Sequence, residues 1–361
     1  MATTTGSNTV SPSAVRAAYW PSWSVDNFPP SAIDTNLFSH IYYAFLSPSN
    51  VTFKFELSNS EAKLLHNFTT TLHHKNPPVQ TLVSFGGGGG DPLLYATMAS
   101  KAGSRKIFIN SAIDVARRFG FDGLDLDWEW PQGPKEMINL GRLFKEWRFA
   151  IQKEARSTCR TPLLLTAAVY FSVDFFVDKV YRRYPVGSID RYLDWASPMC
   201  FDYHGSWNTS QTGAHAALFD PKSNISTSYG LQSWIRAGVR PSKLVMGLPL
   251  YGKTWELKDP NVNGIGAPAV GLGPGVEGVL HFSELVDYIG AHSASALYDP
   301  VTVSAYAYGG TTWIGFDDAT STKVKIGFAR AHGLRGYFFW ALSFDLDWEI
   351  SKQASKAWIG Y

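Results

Sequence analysis

The chain has 361 residues, of which 45% are hydrophobic and 17% are charged, so it is long and apolar enough to bury one large core. Its formal net charge is only +2 and its basic residues form no cluster, which argues against nucleic acid or an anionic membrane as a partner. The sequence contains no apolar run of about eighteen residues, so we expect no membrane-spanning segment.

The first segment, residues 1–14, is rich in Ser and Thr and is expected to be disordered. It lacks the apolar stretch of a secretory signal peptide. Asn-x-Ser/Thr sequons at Asn50, Asn67, Asn208 and Asn224 nevertheless favour a secreted protein. We therefore expect an extracellular or vacuolar location.

Strand-like runs recur along the rest of the chain, mostly about 40 residues apart, with helical patterns between them. The predicted strands are Val15–Trp20, Ser39–Leu46, Gln80–Phe85, Gly123–Glu129, Leu163–Tyr170, Trp195–Tyr203, Leu244–Tyr251 and Gly336–Leu342. The predicted helices between and after them are Glu61–His74, Ser104–Phe119, Met137–Ala155, Ile225–Ala237, Thr320–His332 and Trp348–Trp358. This alternation predicts an α/β fold, a (β/α)8 TIM barrel made of residues 15–252 and 315–361.

The interval between the seventh and eighth predicted strands, residues 253–314, is too long for one crossover helix. It is rich in Gly, Pro and Tyr, with a strand-like piece around Val301–Tyr308 and a helical piece near Phe282–Ile289. We predict an α+β insertion subdomain here, between strand 7 and helix 7.

An unusual row of acids ends the fourth predicted strand. Asp125, Asp127 and Glu129 alternate with apolar residues, so their carboxyl groups lie on one face, with alternate residues about 7 Å apart. Crowded carboxylates repel one another, and this repulsion drives one of them to keep its proton near neutral pH. A catalytic role explains such a row better than a structural one.

This acidic row has three competing interpretations: a solvated edge strand, a metal site and a glycosidase. A solvated edge strand does not explain the Leu and Trp residues that interleave the acids. A calcium loop needs a glycine at its sixth position, where counting from Asp122 gives Asp127. A carboxylate-bound magnesium stays open, although no phosphate-binding motif accompanies the acids, and no zinc spacing of His residues occurs. A glycosidase needs one carboxyl to protonate the leaving sugar oxygen and a neighbour to stabilise the cation.

The order D-x-x-D-x-D-x-E followed by aromatic-Pro resembles the signature of glycoside hydrolase family 18, the chitinases with a TIM barrel. The resemblance runs from about Val15 to Trp358 and is strongest to the plant class V chitinases. Other matching segments are Ala18–Trp20, Ser84–Gly87, Met199–Tyr203, Met246–Gly252 and Gly336–Trp340.

The resemblance implies roles for the acids. Glu129 is expected to be the general acid, and Asp127 to orient the substrate's 2-acetamido group, which attacks the anomeric carbon in place of a protein nucleophile. Asp125 is expected to share a proton with Asp127, and Ser84 to hydrogen-bond Asp125. Asp122 falls on the other strand face, where a structural role is favoured.

Two further positions are matched to family residues that hold the reactive sugar. Asp202 is expected to hold the acetamido group or the acid, and Tyr251 to supply a hydrogen-bond donor. The chain departs from the family pattern at Phe201, since the family usually has Tyr there and uses its hydroxyl to contact the acetamido carbonyl.

Aromatic residues are the candidates for stacking on the flat faces of sugars. Trp340, at the end of the eighth predicted strand, is expected to form the floor beneath the distorted sugar. Further candidates for substrate binding are Trp20, Trp255, Tyr19, Trp130 and Trp207.

The two cysteines, Cys159 and Cys200, fall at opposite ends of the predicted barrel, too far apart for a disulfide. We expect two free, buried thiols without a catalytic role.

The pattern as a whole predicts a retaining chitinase, endo-acting rather than exo-acting, that acts on chitin or chito-oligosaccharides as a monomer without cofactor or metal. Two alternatives stay open: a hydrolase of acylated chito-oligosaccharide signals, and a weakly active or inactive chitin-binding lectin on the same barrel. The intact acidic row favours catalysis, whereas Phe201 keeps the lectin alternative open.

Overall fold

The computed structural model describes residues 14–177 and 179–360. The expected disorder of residues 1–14 therefore falls, apart from Ala14, outside the described residues. None of the described helices is long and apolar enough to cross a membrane.

The described residues form sixteen strands: β1 Val15–Pro21, β2 His40–Leu46, β3 Gln80–Gly86, β4 Gly123–Asp127, β5 Leu164–Tyr170, β6 Asp174–Val177, β7 Val180–Arg183, β8 Trp195–Met199, β9 Val245–Pro249, β10 Tyr251–Leu257, β11 Ala269–Leu272, β12 Val279–His281, β13 Ser295–Asp299, β14 Ser304–Gly309, β15 Thr312–Phe316 and β16 Gly336–Trp340. Their α-helices are α1 Asn59–His73, α2 Pro92–Ser100, α3 Ala102–Phe119, α4 Pro134–Thr158, α5 Val186–Tyr192, α6 Thr227–Arg236, α7 Phe282–Ala291, α8 Ala319–Ala331 and α9 Glu349–Ile359.

Eight parallel strands form the barrel predicted from the sequence, in the order β8-β5-β4-β3-β2-β1-β16-β9. A parallel bridge between Ala196 and Leu244 brings the two outer strands together. All the predicted barrel strands are present, but four end earlier than predicted, among them β9 at Pro249 instead of Tyr251 and β16 at Trp340 instead of Leu342. Strand β4 ends at Asp127 instead of Glu129, and β8 ends at Met199 instead of Tyr203. The chain leaves β8 toward Asp202, whose φ of 58° lies in the left-handed region that no strand residue adopts.

The segment between β9 and α8 is an antiparallel sheet with one helix, as the fold prediction required. Its strands run in the order β11-β10-β15-β14-β13, β12 pairs with β10, and α7 follows β12. This sheet begins at Tyr251, just after β9 ends at Pro249. The chain therefore passes from the C-terminal end of β9, the seventh barrel strand, directly into the insertion.

Two parts of the fold were not predicted from the sequence. The predicted helix beginning at Ser104 is preceded by a separate helix, α2, because the chain is extended at Lys101 (φ −124°, ψ 145°). The interval between β5 and β8 contains the antiparallel hairpin β6–β7 and the short helix α5. Strands of four residues are too short to give a clear alternation.

The cysteine prediction was partly wrong. Both thiols are free, but only Cys200 is buried, whereas Cys159 is exposed. Cys159 caps the C-terminal end of α4 in a left-handed conformation (φ 53°), and this turn leaves its side chain in solvent.

Candidate active site

The acidic row lies at the C-terminal end of β4, where barrel enzymes place their chemistry. Asp125 and Asp127 are buried, at 0% and 5% exposure, and Glu129 follows two residues beyond the strand end, half-buried. Their neighbours Leu124 and Leu126 pack into the layer between barrel and helices. The strand alternation therefore directs the carboxyl groups into the barrel mouth.

Three hydroxyl groups hold the carboxyl of Asp125. Ser84 Oγ and Tyr19 Oη donate to Oδ2 at 2.7 and 2.8 Å, and Thr166 Oγ1 donates to Oδ1 at 2.6 Å. The bond from Ser84 is the one expected from the sequence, while Tyr19 and Thr166 come from β1 and β5. Burial raises the pKa of Asp125, although the three hydrogen bonds oppose this shift. The proton sharing between Asp125 and Asp127 stays a prediction.

Asp127 and Glu129 form a pair of acids that cannot both be charged at low cost. Burial raises the pKa of Asp127 well above its usual value, and the charges of Glu129 and Asp125 add to this shift. Burial also raises the pKa of Glu129 to about 7, helped by the charge of Asp202. Oδ1 of Asp127 is buried and has no hydrogen-bond partner. The pair can thus hold a proton near neutral pH and offers an unused acceptor to a ligand.

Asp202 lies in the loop after β8, with 43% of its side chain exposed. Tyr251 Oη donates to its Oδ1 at 2.8 Å, and Nζ of Lys253 lies 3.1 Å from the same oxygen. His215 Nδ1 lies 3.9 Å away, and burial lowers the pKa of this His well below its usual value. Sequence reasoning missed Lys253 and His215, because neither falls in a recognised motif.

A cavity gathers six of the predicted site residues: Tyr19, Asp127, Glu129, Phe201, Asp202 and Trp340. Its lining comprises Tyr19, Phe45, Gly88, Asp127, Glu129, Ala168, Met199, Phe201, Asp202, Phe338 and Trp340. The ring of Trp340 stacks on Phe45, with centroids 5.5 Å apart, and lies 6.3 Å from the indole of Trp23. Trp23 is 63% exposed at the rim and was not singled out from the sequence, nor was Phe45. Together these rings form an apolar floor beside the acids.

A second cavity continues from the first on the other side of Glu129 and Asp202. It is lined by these two acids and by Trp130, Tyr170, Phe171, Phe176, Val177, Met199, Phe201, Tyr203, Trp207 and Ile225. Trp130 thus lies in the cleft, and its contact with substrate stays a prediction. The two carboxyl groups stand where the two halves of the cleft meet.

Two of the aromatic residues predicted to bind substrate are not in the cleft, and Ser84, also predicted to bind substrate, is fully buried against Asp125. Trp20 is fully buried on the outer side of the barrel, against Phe68 at 5.2 Å, with its indole N–H bonded to Phe28 O. Trp255 is also fully buried, against Trp313 in the insertion. Strand parity explains Trp20, because its neighbour Tyr19 points inward.

Phe201 lies in the cleft, in the loop after β8 instead of within the predicted strand. It is 8% exposed, lines both cavities, and meets the rings of Tyr251 and Phe338 edge-on at 6.3 and 6.1 Å. The departure from Tyr therefore removes a hydroxyl at the cleft itself.

Asp122 lies on the other side of β4 from the acidic row. Its carboxyl is 2.9 Å from Nε2 of His73 and accepts from the backbone N–H of Thr81 at 2.7 Å. Within residues 14–177 and 179–360, no group of three or more His, Cys, Asp or Glu side chains is arranged to hold a metal ion.

Comparison with known proteins gives a consistent result. The family model described as glycosyl hydrolases family 18 matches residues 15–345. A class V chitinase of Medicago truncatula, CHIT5a, is 53% identical over 346 residues, covering 95% of this chain and 89% of that protein. Nod factor hydrolase protein 1 of the same plant is 52% identical over 351 residues, covering 95% and 90%.

Solved structures are similar over nearly the whole chain. A mutant of the class V chitinase of Nicotiana tobaccum, in complex with NAG4, superposes with a TM-score of 0.92 at 40% identity, covering 96% of this chain and 99% of that one. A chitinase-like agglutinin of Robinia pseudoacacia, RobpsCRA, superposes with a TM-score of 0.87 at 38% identity, covering 96% and 100%.

Proposed function

The chain belongs to glycosyl hydrolases family 18 and is a glycoside hydrolase, and we propose that it is a retaining chitinase acting on β-1,4 bonds of chitin and N-acetylglucosamine oligomers. The observation that carries the proposal is the buried Asp127, with an unpartnered Oδ1, beside Glu129 in one cavity, where burial raises the pKa of Glu129 to about 7. Both acids open into one cavity floored by Trp340.

Glu129 acts as the general acid. Because it lines both halves of the cleft, we assign it to the bond that joins the sugar over Trp340 to the leaving sugar. It transfers its proton to the glycosidic oxygen as the bond to the anomeric carbon breaks. The resulting carboxylate then takes a proton from the incoming water.

The substrate supplies the nucleophile. The 2-acetamido oxygen attacks the anomeric carbon from the face opposite the leaving group and forms an oxazolinium ion, which water opens with net retention. Asp127 Oδ1 accepts the acetamido N–H and balances the positive charge, while Asp125 is held behind it by Tyr19, Ser84 and Thr166. Asp202 is held by Tyr251 and Lys253, so it orients the substrate instead of attacking it.

The first experiment follows the anomer released from a short N-acetylglucosamine oligomer. We expect the β-anomer as first product, inhibition by a thiazoline mimic of the cyclic intermediate, and no cleavage of fully deacetylated oligomers or of cello-oligosaccharides, which lack the acetamido group. An α-anomer as first product, or efficient turnover of cello-oligosaccharides, contradicts substrate-assisted catalysis.

A second candidate substrate is an acylated chito-oligosaccharide signal. The exposed indole of Trp23 extends the apolar floor beyond Trp340 and suits an acyl group attached to the glycone end. One relative described as a Nod factor hydrolase is about as similar as the chitinases, at 52% against 53% identity. Competition between an acylated and a plain N-acetylglucosamine pentamer distinguishes the two substrates. If the acylated one is the natural substrate, wild type should prefer it, and Trp23→Ala should reduce that preference.

The lectin alternative has support in the similarity to the agglutinin RobpsCRA. Binding of chito-oligosaccharides by an enzyme preparation that gives no turnover would establish it. We favour catalysis because the acids of the row are all present, and two of them share one cavity with Trp340.

We further propose that the protein is secreted or vacuolar and works as a monomer. The four sequon residues Asn50, Asn67, Asn208 and Asn224 are all exposed, so each is accessible to glycosylation. A mass decrease after endoglycosidase treatment of the protein from its natural source tests this location.

A further inference from the structure

Asp202 has a backbone conformation that an aspartate adopts only at some cost. Its φ of 58° lies in the left-handed region, which residues other than Gly seldom occupy. Such a conformation persists at a functional site where the surrounding structure fixes it. The contacts around Asp202 therefore determine where its carboxyl group stands in the cleft that it lines together with Glu129.

His215 lies behind Asp202, outside both cavities, and is only 1% exposed. Its backbone carbonyl accepts a hydrogen bond of 2.9 Å from the N–H of Tyr203, the residue directly after Asp202. Its ring packs against the ring of Tyr251, with centroids 5.1 Å apart. His215 thus contacts both the chain that carries Asp202 and the tyrosine that donates to Asp202.

The ring of His215 is oriented by one hydrogen bond. Its Nε2 lies 3.1 Å from the backbone carbonyl oxygen of Tyr251, and Nε2 carries the proton because a carbonyl oxygen only accepts. Burial lowers the pKa of His215 well below its usual value, so the ring is neutral near pH 7 and Nδ1 has no proton. Nδ1 has no hydrogen-bond partner and lies 3.9 Å from Oδ1 of Asp202. His215 therefore gives no proton to Asp202 and acts on it through Tyr251.

Three hydrogen bonds close a circuit around Asp202. Tyr251 Oη donates to Asp202 Oδ1, and His215 Nε2 donates to the carbonyl of the same tyrosine. The N–H of Tyr203 then donates to His215 O, which returns the circuit to the residue next to Asp202. His215 is the member that joins the two ends, so it sets the loop after β8 and the start of β10 relative to each other.

A buried ion pair anchors the segment of His215 to α8. Lys325, on α8, donates through Nζ to the carbonyl of Ala216 and to both carboxyl oxygens of Asp317. Both side chains of the pair are 1% exposed. Burying two charges is costly, and a well-attested use of such a pair is to fix one arrangement of the segments that it joins. Because Ala216 directly follows His215, this arrangement includes the position of His215.

We propose that His215 is a positioning residue for Asp202, acting through the backbone of Tyr251 and the N–H of Tyr203 without touching the substrate. The inference rests on the proposed chitinase function and deepens the role that Asp202 has in it. Loss of the Nε2 donor should release Tyr251 and Asp202 together. We expect kcat to fall more than KM changes, because the aromatic floor at Trp340 is not affected.

The experiment measures steady-state kinetics on the N-acetylglucosamine hexamer. In His215→Asn the amide is too short to reach the carbonyl of Tyr251, and kcat is expected to fall about five- to tenfold. In His215→Gln the longer amide can replace the Nε2 donor, so kcat should stay within about twofold of wild type. His292→Asn is the matched control, because His292 also lies 2.9 Å from a tyrosine carbonyl and stacks on the ring of that residue, Tyr288, but at the end of α7.

A double-mutant cycle separates positioning from a loss of stability. Asp202→Asn removes the carboxyl group that His215 positions, so adding His215→Asn to it should lower kcat no further. Thermal melts of each variant set a temperature at which all of them are folded. His215→Phe keeps the volume of the ring and lacks the donor, so it replaces His215→Asn in the cycle if that variant does not fold.

A wild-type kcat in a folded variant without the donor overturns the inference. So do additive losses in the cycle, or a wild-type kcat in Asp202→Asn. A wild type that does not hydrolyse the hexamer overturns the proposed function instead.

Discussion

Tyr251 donates a hydrogen bond of 2.8 Å to Oδ1 of Asp202, which lies 49 positions earlier in the chain. Lys253, two residues further along β10, places its Nζ 3.1 Å from the same oxygen. The first strand of the insertion thus holds a carboxyl group at the barrel mouth, so the insertion contributes to the site through these two contacts. Asp202 lines both halves of the cleft, and its orientation affects both.

Tyr251→Phe should therefore lower kcat by roughly tenfold, because Asp202 loses a fixed donor and the acetamido group loses a candidate partner. Steady-state kinetics on an N-acetylglucosamine oligomer measure this. Tyr288→Phe is the control, since it removes one hydroxyl hydrogen bond, the 3.0 Å contact with Thr312, away from the cleft. Equal kcat values in wild type and Tyr251→Phe would show that the bond does not matter for turnover.

The pH–rate profile should fall on its alkaline side around pH 7. Burial raises the pKa of Glu129 to about 7, and only the protonated carboxyl can give its proton to the leaving oxygen. Glu129→Gln should lower kcat by about a hundredfold to ten-thousandfold and leave oligomer binding nearly intact, as isothermal titration calorimetry can show. Glu256→Gln, at an exposed position on β10, is the matched control. Near-wild-type activity in Glu129→Gln would remove Glu129 from the role of acid.

The same group should make stability depend on pH. The pKa of Glu129 rises from its ordinary 4.5 to about 7 on folding, so between these values the folded state binds more protons than the unfolded state. The free energy of unfolding therefore falls as the pH rises through this window. Glu129→Gln removes this contribution, so its melting temperature should exceed that of wild type more at pH 8 than at pH 5. The opposite trend in thermal melts would mean that Glu129 is stabilised in its charged form.

The barrel and the acidic row could be predicted because both depend on local sequence patterns. Alternation on β4 alone places Asp125 and Asp127 inward, and the same parity applied to β1 separates Tyr19 in the cleft from Trp20 in the outer layer. The role of Lys253 could not be predicted, because it arises from a long-range contact between β10 and the loop after β8. Such a long-range contact leaves no periodic pattern in the sequence.

Aromatic residues were the hardest to assign from sequence. The sequence does not distinguish a Trp in the core from a Trp at a sugar site. Only the folded structure shows that Trp255 is buried and Trp23 is exposed. Trp23 follows the end of β1, so its placement depends on how the loop turns over Trp340.

Trp340→Ala should weaken oligomer binding and lower turnover together, because the ring would stack under the sugar that must be distorted. Stacking on an aromatic face is worth on the order of 1–3 kcal/mol in analogous systems. Kinetics measured beside thermal melts separate this from a packing role, and Trp358→Ala, which packs on Tyr337 away from the cleft, is the control. A lowered melting temperature with unchanged kinetics in Trp340→Ala would assign the ring to packing alone.

Phe201→Tyr should change turnover by less than about tenfold, roughly the free energy of one hydrogen bond. A hydroxyl at this position polarises the acetamido carbonyl but has to release it for attack, so its absence need not stop the reaction. The partners that remain are Asp127, with its unpartnered Oδ1, and Asp202 with its donor Tyr251. Phe219→Tyr adds a hydroxyl at an exposed site and controls for solubility effects. If the wild type binds chito-oligosaccharides without cleaving them and Phe201→Tyr starts hydrolysis, the protein is a lectin and the missing hydroxyl is the reason.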